Sequence, residues 1–435
     1  MIEGLIIDCF CGGGGATEGI EQAIGRAVDI GVNHDKEAIR LHMVNHPETL
    51  HLTEDIFEVD LEKYVNGRHV GLMWASPDCT QFSKAKGGKP REHGIRILPW
   101  AVYKHASKIL PDIVIMENVE EIQQWGALDE DGHPIESEKG KEYERFMQSM
   151  ESIGYEHKSW ELVAADYGAP TTRKRWYAVF RRDGKKINRP TETHSETGDL
   201  FREKWCECGD YVDWSDLGNS IFERKKPLCE ATQKRIAKGI DKFILQEKHP
   251  YIVGDKNIAS FLIQYHSETN GSTARGQTLN KPIKTLDTSN RYGLVSAFIT
   301  KFYKTGIGQP MNKPLATITT SAGHFGLVSA FLIKYYGGSN GQVQGQSLHK
   351  PLATITTKER FGLVTVTIEG EEYEIRDIKL RMLKPEELKV MQGFPESYII
   401  DHDIDGRTIS RKEQVAKIGN SVVPQMAKVL VEANT

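Results

Sequence analysis

The chain has 435 residues and carries 56 Lys and Arg against 60 Asp and Glu, a formal net charge of −4. That length fits about two domains with a sizeable core, and the near-neutral balance does not by itself mark a nucleic-acid binder. The 6 cysteines show no disulfide framework, no basic-then-apolar leader precedes the first apolar run, and no apolar run approaches membrane-spanning length, so a soluble cytoplasmic protein with reduced thiols is expected.

The first predicted element is a short strand, Leu5-Ile6-Ile7-Asp8, which runs into Cys9-Phe10-Cys11-Gly12-Gly13-Gly14-Gly15 and then a helix carrying Ile20, Ala23 and Ile24. Strand, glycine-rich turn and amphipathic helix open a nucleotide-binding βαβ unit. Glycines let the backbone approach a ligand closely, and the helix N-terminus points amide N–H groups at it. The next strand, Ala27 to Val32, ends in Asn33-His34-Asp35, where a ribose-binding polar group is expected. A further apolar-to-acidic step, Glu54-Asp55-Ile56, could reach an adenine amine. For each, the alternative is a solvated loop residue.

The apolar run Val70 to Ala75 reads as a buried strand that Ser76-Pro77 ends sharply. Cys79 then sits on a loop past a strand's carboxyl end, where open α/β sheets keep their active sites. A cysteine in such a turn can carry a lowered pKa and act as a thiolate nucleophile; the alternative is a small buried hydrophobe. The stretch from Lys84 through Lys86 and Lys89 to Arg91 is basic and glycine-bearing, with the charge to touch phosphate. A helix from Trp100 to Ile109 leads to the strand Ile113–Met116, which ends in Glu117-Asn118-Val119. A carboxylate at a buried strand end is costly unless used or paired, so Glu117 is an acid–base candidate or half of a structural ion pair. Beyond an acidic helix, Arg173 and Arg175 lie two apart at the start of a strand through Phe180. They would face the same side, which suggests anion or base recognition; a solvated basic edge is the alternative.

Together these residues resemble the C5 cytosine-specific DNA methyltransferases. Asp8 to Gly15 is similar to the family's S-adenosylmethionine motif, and Glu117-Asn118-Val119 is its Glu-Asn-Val motif without a change. Arg381-Met382-Leu383-Lys384-Pro385-Glu386, Gln392-Gly393-Phe394-Pro395 and Lys417-Ile418-Gly419-Asn420-Ser421-Val422-Val423-Pro424 match blocks near the end of the family's chains. Three positions depart: Asp78 separates Pro77 from Cys79, Asn33 stands where a ribose-binding glutamate is usual, and Thr171 replaces a glutamine before the paired arginines. The fold implied is α/β, a Rossmann-like S-adenosylmethionine-dependent methyltransferase domain at 1–187, completed by 408–435 and the helix from Pro424 to Val431. A mostly β target-recognition domain is inserted at 188–407. The resemblance implies a cofactor site of Asp8, Phe10, Cys11, Gly12, Gly13, Gly14, Asn33, His34, Asp55, Ile56, Pro77, Asn420, Ser421 and Val422. It assigns catalysis to Cys79, Glu117, Arg173 and Arg175, DNA contact to Ser83, Lys84, Lys86, Lys89 and Arg91, and no metal. The implied partners are double-stranded DNA and a cognate restriction endonuclease acting on the same site, with the chain itself a monomer.

The residue types suit that chemistry. Carbon 5 of cytosine is a poor nucleophile until a thiolate adds at carbon 6, which is the role for Cys79. Glu117 would hydrogen-bond ring N3, and Arg175, with Arg173 nearby, could hold the base carbonyl and backbone phosphate. An RNA cytosine methyltransferase would share these residues, and a catalytically inactive DNA-binding homologue is a reading from another class. A nicotinamide dehydrogenase fits only the glycine turn.

The middle of the chain differs in character. A basic helix is expected across Arg224, Lys225, Lys226, Arg235 and Lys238. Three related segments follow: Lys281–Thr288, Lys313–Thr320 and Lys350–Thr357, each trailed by Gly-Leu-Val and preceded by an apolar strand such as Phe331–Tyr336. Alternating threonine and aliphatic residues read as short strands, and the period of about 32 to 37 residues as a tandem β-unit. Between Tyr251 and Val366 there are 12 Lys and Arg against 4 Asp and Glu, or +8, the balance a DNA-facing surface requires. Polar loops at Ser267–Arg275 and Gly337–Gln346 are the expected base readers. Cys206, Cys208 and distant Cys229 lack the paired spacing of a zinc site.

Overall fold

Apolar runs without alternation become the central strands of a sheet covered on both faces. Two of them, β1 (Leu5–Cys9) and β4 (Val70–Ala75), are buried along their whole length. The computed structural model describes residues 2–78, 97–253, 258–265, 275–301, 331–335, 343–347, 361–362, 365–368 and 371–435. With β2 (Ile30–Val32), β3 (Leu50–Leu52), β5 (Ile113–Asn118), β6 (Glu156–Val163) and β7 (Lys174–Arg181), the two strands form a 7-stranded sheet in the order β3-β2-β1-β4-β5-β7-β6. The pairs from β3 to β5 are parallel, and β7 runs antiparallel to both of its neighbours. Side chains alternate between faces: Ile7, Met73, Val114 and Phe180 join one apolar cluster, Ile6, Leu72, Ile115 and Val179 the other. The connecting helices are α1 (Gly15–Ile24), α2 (Lys36–Asn45), α3 (Leu61–Val65), α4 (Leu98–Ile109) and α5 (Lys141–Ser152). Strand order reverses between β1 and β4, so the crevice beyond their carboxyl ends is the topological switch point. A two-stranded ribbon, β8 (His194–Ser195) with β9 (Glu203–Lys204), follows.

The chain divides into two compact units. The first runs over Met1–Tyr211, Lys281–Asn290 and Lys384–Thr435, and the second over Val212–Asn280 and Arg291–Leu383. This moves the expected boundaries of 188 and 407. Residues 188–211 and 384–407 stay with the 7-stranded sheet, as does 281–290 from the middle of the predicted insertion. The reason lies in specific bonds: the Ile283 amide donates to the Pro170 carbonyl at 2.9 Å, and the Thr172 amide donates to the Ile283 carbonyl at 2.8 Å.

In the second unit, β10 (Asn219–Ser220) precedes α6 (Glu230–Ile240). The basic residues Arg224, Lys225 and Lys226 lie before this helix rather than in it, because Pro227 follows them and disfavours helical backbone at its predecessor. The strands β11 (Ile258–Gln264), β12 (Gly276–Thr278), β13 (Tyr292–Lys301), β14 (Phe331–Tyr335), β15 (Val343–Ser347), β16 (Phe361–Gly362), β17 (Thr365–Ile368) and β18 (Glu371–Met382) are nearly all antiparallel hairpin partners. The sequence repeat is also a repeat of register. Phe261 pairs with Thr278 and Ile263 with Gly276 and Gly293; Phe331 pairs with Ser347 and Ile333 with Gly345 and Gly362. Each copy is thus a three-stranded motif, β12-β11-β13 or β15-β14-β16, built on the same residues of the repeat. Lys281–Thr288, however, is not a strand. Ile283 alone makes a bridge there, parallel to Thr171, and the segment is a strap bound to the first unit. The other two Lys-Pro segments lie outside the described residues, as do the loops expected to read bases, apart from Arg275 and Val343–Gln346.

The chain returns to the first unit in α7 (Pro385–Met391), α8 (Arg411–Asn420) and α9 (Pro424–Asn434). The expected C-terminal helix is present and extends to Asn434. Met426, Leu430 and Val431 of α9 join the second apolar cluster of the sheet. Its approach to α1 needs Gly19, where a Cβ would stand 2.0 Å from the Pro424 carbonyl oxygen.

Candidate active site

Adjacent strand ends form the first wall. Ala75 is in register with Cys9 on one side and Met116 on the other, which brings the turn after β4 between the glycine turn and the end of β5. Asn118, fully buried, donates from Nδ2 to the Pro77 carbonyl at 3.0 Å and accepts the Val119 amide on Oδ1 at 2.9 Å. It therefore holds the turn that leads to Asp78. Glu117 lies opposite Tyr177 on β7, and Arg175 is its diagonal neighbour two residues along. Arg175 Nε stands 3.2 Å from Glu117 Oε1, with both side chains largely buried. Its N–H does not point along that line, so this is an ion pair rather than a hydrogen bond. Burial, and then the Glu117 charge, push the Tyr177 phenol far above its ordinary range, so Tyr177 is a neutral wall.

Arg173 goes elsewhere. Its buried guanidinium donates from Nη1 to the carbonyls of Gly419 at 3.0 Å and Leu286 at 3.3 Å, clamping the strap to the last turn of α8. The expected pairing of Arg173 with Arg175 on one recognition face gives way to this division, because Arg173 precedes β7 and is not bound to its alternation. Gly419 permits the clamp, since a Cβ there would be 2.1 Å from the Asp287 carbonyl oxygen.

The second wall is the glycine turn. Phe10 and Gly12 adopt positive φ, 67° and 52°, and Gly14 reaches 86°. A bulky residue such as Phe10 in the left-handed region is strained and marks a turn held in place by its surroundings. The surroundings are the chain's own C-terminal blocks. A Cβ at Gly13 would lie 3.0 Å from Ser421 Oγ, one at Gly14 2.0 Å from Tyr398 Oη, and one at Gly15 2.1 Å from the Val422 carbonyl oxygen. At Gly12 the nearest other atom is 3.6 Å away, so that face is not filled by protein. Ser421 is fixed in turn: its hydroxyl donates to the Lys417 carbonyl at 2.7 Å, and its carbonyl accepts from Gln392 Nε2 at 3.2 Å.

Beneath the turn runs a buried polar chain. Thr17 Oγ1 donates to Asp8 Oδ2 at 2.6 Å and lies 2.9 Å from His42 Nε2, while His42 Nδ1 lies 2.8 Å from His51 Nε2. Burial raises the Asp8 carboxyl to about 7 despite the Thr17 bonds. Burial, then His46 and His51, hold His42 far below the usual imidazole range. Cys11 is also buried, and its thiol is pushed well up, first by desolvation.

The remaining cofactor candidates follow the neighbouring strand ends. Asn33, after β2, accepts the Asp35 amide on Oδ1 at 2.8 Å, and His34 is exposed. Asp35 instead caps α2 and pairs with Lys417; burial acts to raise its pKa, but the Lys417 contact leaves it lowered. Asp55 is exposed and accepts the Phe57 amide at 2.8 Å, while Ile56 is buried. Asn420 is exposed, and Val422 is buried against the sheet. The turn after β1, Asn33 and Asp55-Ile56 thus stand at the carboxyl ends of β1, β2 and β3, three neighbouring parallel strands.

Comparison with known proteins identifies the architecture. Residues 5–434 match the family of C-5 cytosine-specific DNA methylases. The chain belongs to this family. It is 31% identical over 200 residues to the Type II methylase M.HgiDII of Herpetosiphon aurantiacus, covering 44% of this chain and 51% of that protein. It is 27% identical over 283 residues to the Type II methyltransferase M1.HphI of Haemophilus parahaemolyticus, covering 60% and 68%. The matched part spans about half the length of the first of these relatives. Among solved structures, a mutant of Spodoptera frugiperda DNMT2 is similar with a TM-score of 0.51 and 14% identity over 98% of each chain. A structure described as an E. coli prophage-encoded DNA modification methyltransferase gives 0.50 and 16% over 99% of this chain and 97% of that one. At these identities the likeness is one of fold: an α/β methyltransferase sheet with a separate antiparallel sheet.

For this C5 methylase fold, the expected nucleophile Cys79 and the expected DNA contacts Ser83, Lys84, Lys86, Lys89 and Arg91 lie outside the described residues. Sequence reasoning missed the holding roles of Asn118, Gln392, Tyr398 and His46. The only signal for the first three was their place inside or beside motif blocks, and His46 carried none. No metal-holding group of His, Cys, Asp and Glu occurs among the described residues, and no described helix is long and apolar enough to cross a membrane.

Proposed function

We propose that this chain is a DNA cytosine C5-methyltransferase that uses S-adenosylmethionine. The observation that carries the reading is the Glu117–Arg175 pair, seated at the end of β5 beside the Asn118-held turn from which Cys79 follows. The glycine turn fits the cofactor, because Gly12 leaves an unfilled face while its neighbours are closed off by protein. The turn residues Phe10 to Gly14, with Asn33 and Asp55-Ile56 on the adjoining strand ends, would hold it. When bound, S-adenosylmethionine supplies an electrophilic methyl group for carbon 5.

The protein's own part begins with a flipped-out cytosine, since a stacked base cannot offer carbon 6 to a thiolate. The Cys79 thiolate adds at carbon 6, forming a C–S bond and moving an electron pair toward N3. Glu117, carrying a proton, donates to N3 and offsets the developing charge. Arg175 holds the base carbonyl and, with Nε 3.2 Å from Glu117 Oε1, keeps that side chain in place. After carbon 5 is methylated, its proton passes to water as the C–S bond breaks and N3 returns its proton to Glu117, which restores the ring and frees Cys79. The second unit, which holds all of the +8 stretch from 251 to 366 except Lys281–Asn290, is assigned to target recognition on double-stranded DNA. The Type II names of the relatives support a restriction–modification setting, with a cognate endonuclease acting on the same sequence in the cytoplasm.

The test is cytosine-methylation sequencing of DNA from a bacterial host lacking its own 5-methylcytosine and expressing this chain. A sharp methylated motif is expected. Soluble protein with unmodified DNA and methylated RNA cytosines would overturn the choice of DNA. Covalent trapping on 5-fluorocytosine DNA should vanish in Cys79→Ala, and an unchanged adduct would remove Cys79 as nucleophile.

A further inference from the structure

We propose that Tyr398, backed by His46 and Glu21, is a positioning residue that sets the cofactor turn through the Gly13 carbonyl and does so according to the proton count on His46. This rests on the reading of the glycine turn as the S-adenosylmethionine seat. Tyr398 is buried, and its hydroxyl donates to the Gly13 carbonyl at 2.7 Å. The same oxygen lies 3.1 Å from His46 Nε2, and His46 Nδ1 lies 2.8 Å from Glu21 Oε2. Glu21 is itself fixed, because its other oxygen accepts the Val28 amide at 3.0 Å. The tyrosine is held at its backbone: Lys389 Nζ donates to the Tyr398 carbonyl at 2.9 Å, and the next amide, Ile399, donates to Asn45 Oδ1 at 2.8 Å. Gly14 gives way for both groups, with a Cβ there only 2.0 Å from the hydroxyl and 2.9 Å from His46 Nε2.

Counting hydrogens decides what this chain of contacts can do. The phenol has one hydrogen, and when Gly13 receives it the oxygen can only accept from His46. His46 must then carry a hydrogen on Nε2, while its Nδ1 faces a carboxylate that also asks for one. Both bonds are satisfied together only when the His46–Glu21 pair holds one proton more than a neutral ring and a carboxylate. If His46 loses a proton and keeps the one facing Glu21, its bare Nε2 competes with the Gly13 carbonyl for the single tyrosine hydrogen. The hold on the turn then weakens. The titratable groups that face this cluster are Glu18 and Glu21 on α1, Asp8 and Cys11 at and just past the end of β1, His42 on α2, which His46 caps, His51 on β3 and Lys389 on α7. His42, its ring centroid 4.5 Å from that of His46, is kept neutral by burial and adds no opposing charge.

The experiment is calorimetric titration of the full chain with S-adenosylmethionine alone, from about pH 6 to 9, the range over which histidine titrates. Wild-type affinity should fall as pH rises. Tyr398→Phe should bind about 5- to 10-fold more weakly at the low end, the scale of one lost hydrogen bond, and show a flat pH profile. His46→Gln keeps an N–H donor for the tyrosine, so it should bind nearly as wild type does at low pH and stay flat. In turnover, KM for the cofactor should rise in Tyr398→Phe with kcat and KM for DNA unchanged, a split that general destabilisation would not produce. A folded Tyr398→Phe with wild-type affinity and pH slope overturns the proposal. A His46→Gln variant that keeps the wild-type slope overturns it as well. Failure of the wild-type chain to bind the cofactor would instead overturn the seat on which the proposal stands.

Discussion

The two walls of the candidate site are built in opposite ways. The wall proposed to face the base comes from neighbouring strands: Glu117 and Asn118 on β5, and Arg175 on β7 paired directly with it. Its polar groups are joined by a few contacts, the Glu117–Arg175 pair and the two bonds of Asn118. The wall proposed to hold the cofactor joins distant parts of the chain, with Gly13, Gly14 and Gly15 pressed against Ser421, Tyr398 and Val422. Apart from the open face at Gly12, these glycines have no room for a side chain. The base side can therefore lose a functional group and keep the fold, while a change on the cofactor side disturbs stability and binding together.

The sharpest way to break that comparison is Glu117→Gln, which keeps shape and removes the acid. Turnover should fall by about 10²- to 10⁴-fold with the melting temperature unchanged, measured by methyl transfer and thermal unfolding on the same sample. A melting temperature that fell with activity would make Glu117 a structural ion pair.

Next in size is the pH dependence set by Asp8. Its carboxyl is raised from 3.8 to about 7, so the folded state holds a proton that the unfolded state has lost across that interval. Stability is then greatest below about pH 4, declines as pH rises toward 7 and is level beyond it, a contribution of a few kcal/mol. Asp8→Asn, still able to accept from Thr17, should flatten this part of a denaturant-unfolding profile. An unchanged slope would show that Asp8 is ionised in the fold.

Gly15→Ala should cost about 1–3 kcal/mol, because its new methyl would meet the backbone of Val422 rather than a movable side chain. Cofactor affinity should drop with it. Stability near wild type would mean the C-terminal segment can shift away from α1. The smallest effect is expected for Asn118→Ala, about 1–2 kcal/mol of stability from the lost bond to Pro77. The informative readout there is covalent trapping, which should slow as the turn before Cys79 loosens.

Much of the first unit was legible before any coordinates. Leu5–Asp8, Val70–Ala75 and Ile113–Met116 are apolar runs of strand length, and each ends in a polar or glycine-rich turn, so the strands and the residues at their ends followed together. The direction taken by Arg173 did not follow, because a residue just outside a strand is free of its alternation. Nor did the strap at Lys281–Thr288: its Thr and aliphatic alternation suits a strand, yet it bonds to Pro170 and Thr172 instead of a sheet neighbour. Alternation states that one face can be buried, not which partner will bury it.

What the sequence alone determined is the local grammar: apolar runs set strands, glycines and prolines set turns, and the tandem repeat imposed one register on two three-stranded motifs. These depend on neighbours within a few tens of residues, where pattern and partner are written close together. The tertiary structure alone decided why Gly13, Gly14 and Gly15 must be glycine, which carbonyl Tyr398 would hold, and that β7 would enter between β5 and β6. Those outcomes bring together groups such as Gly13 and Tyr398, 385 positions apart, and only packing in three dimensions chooses among the many partners such groups could have met.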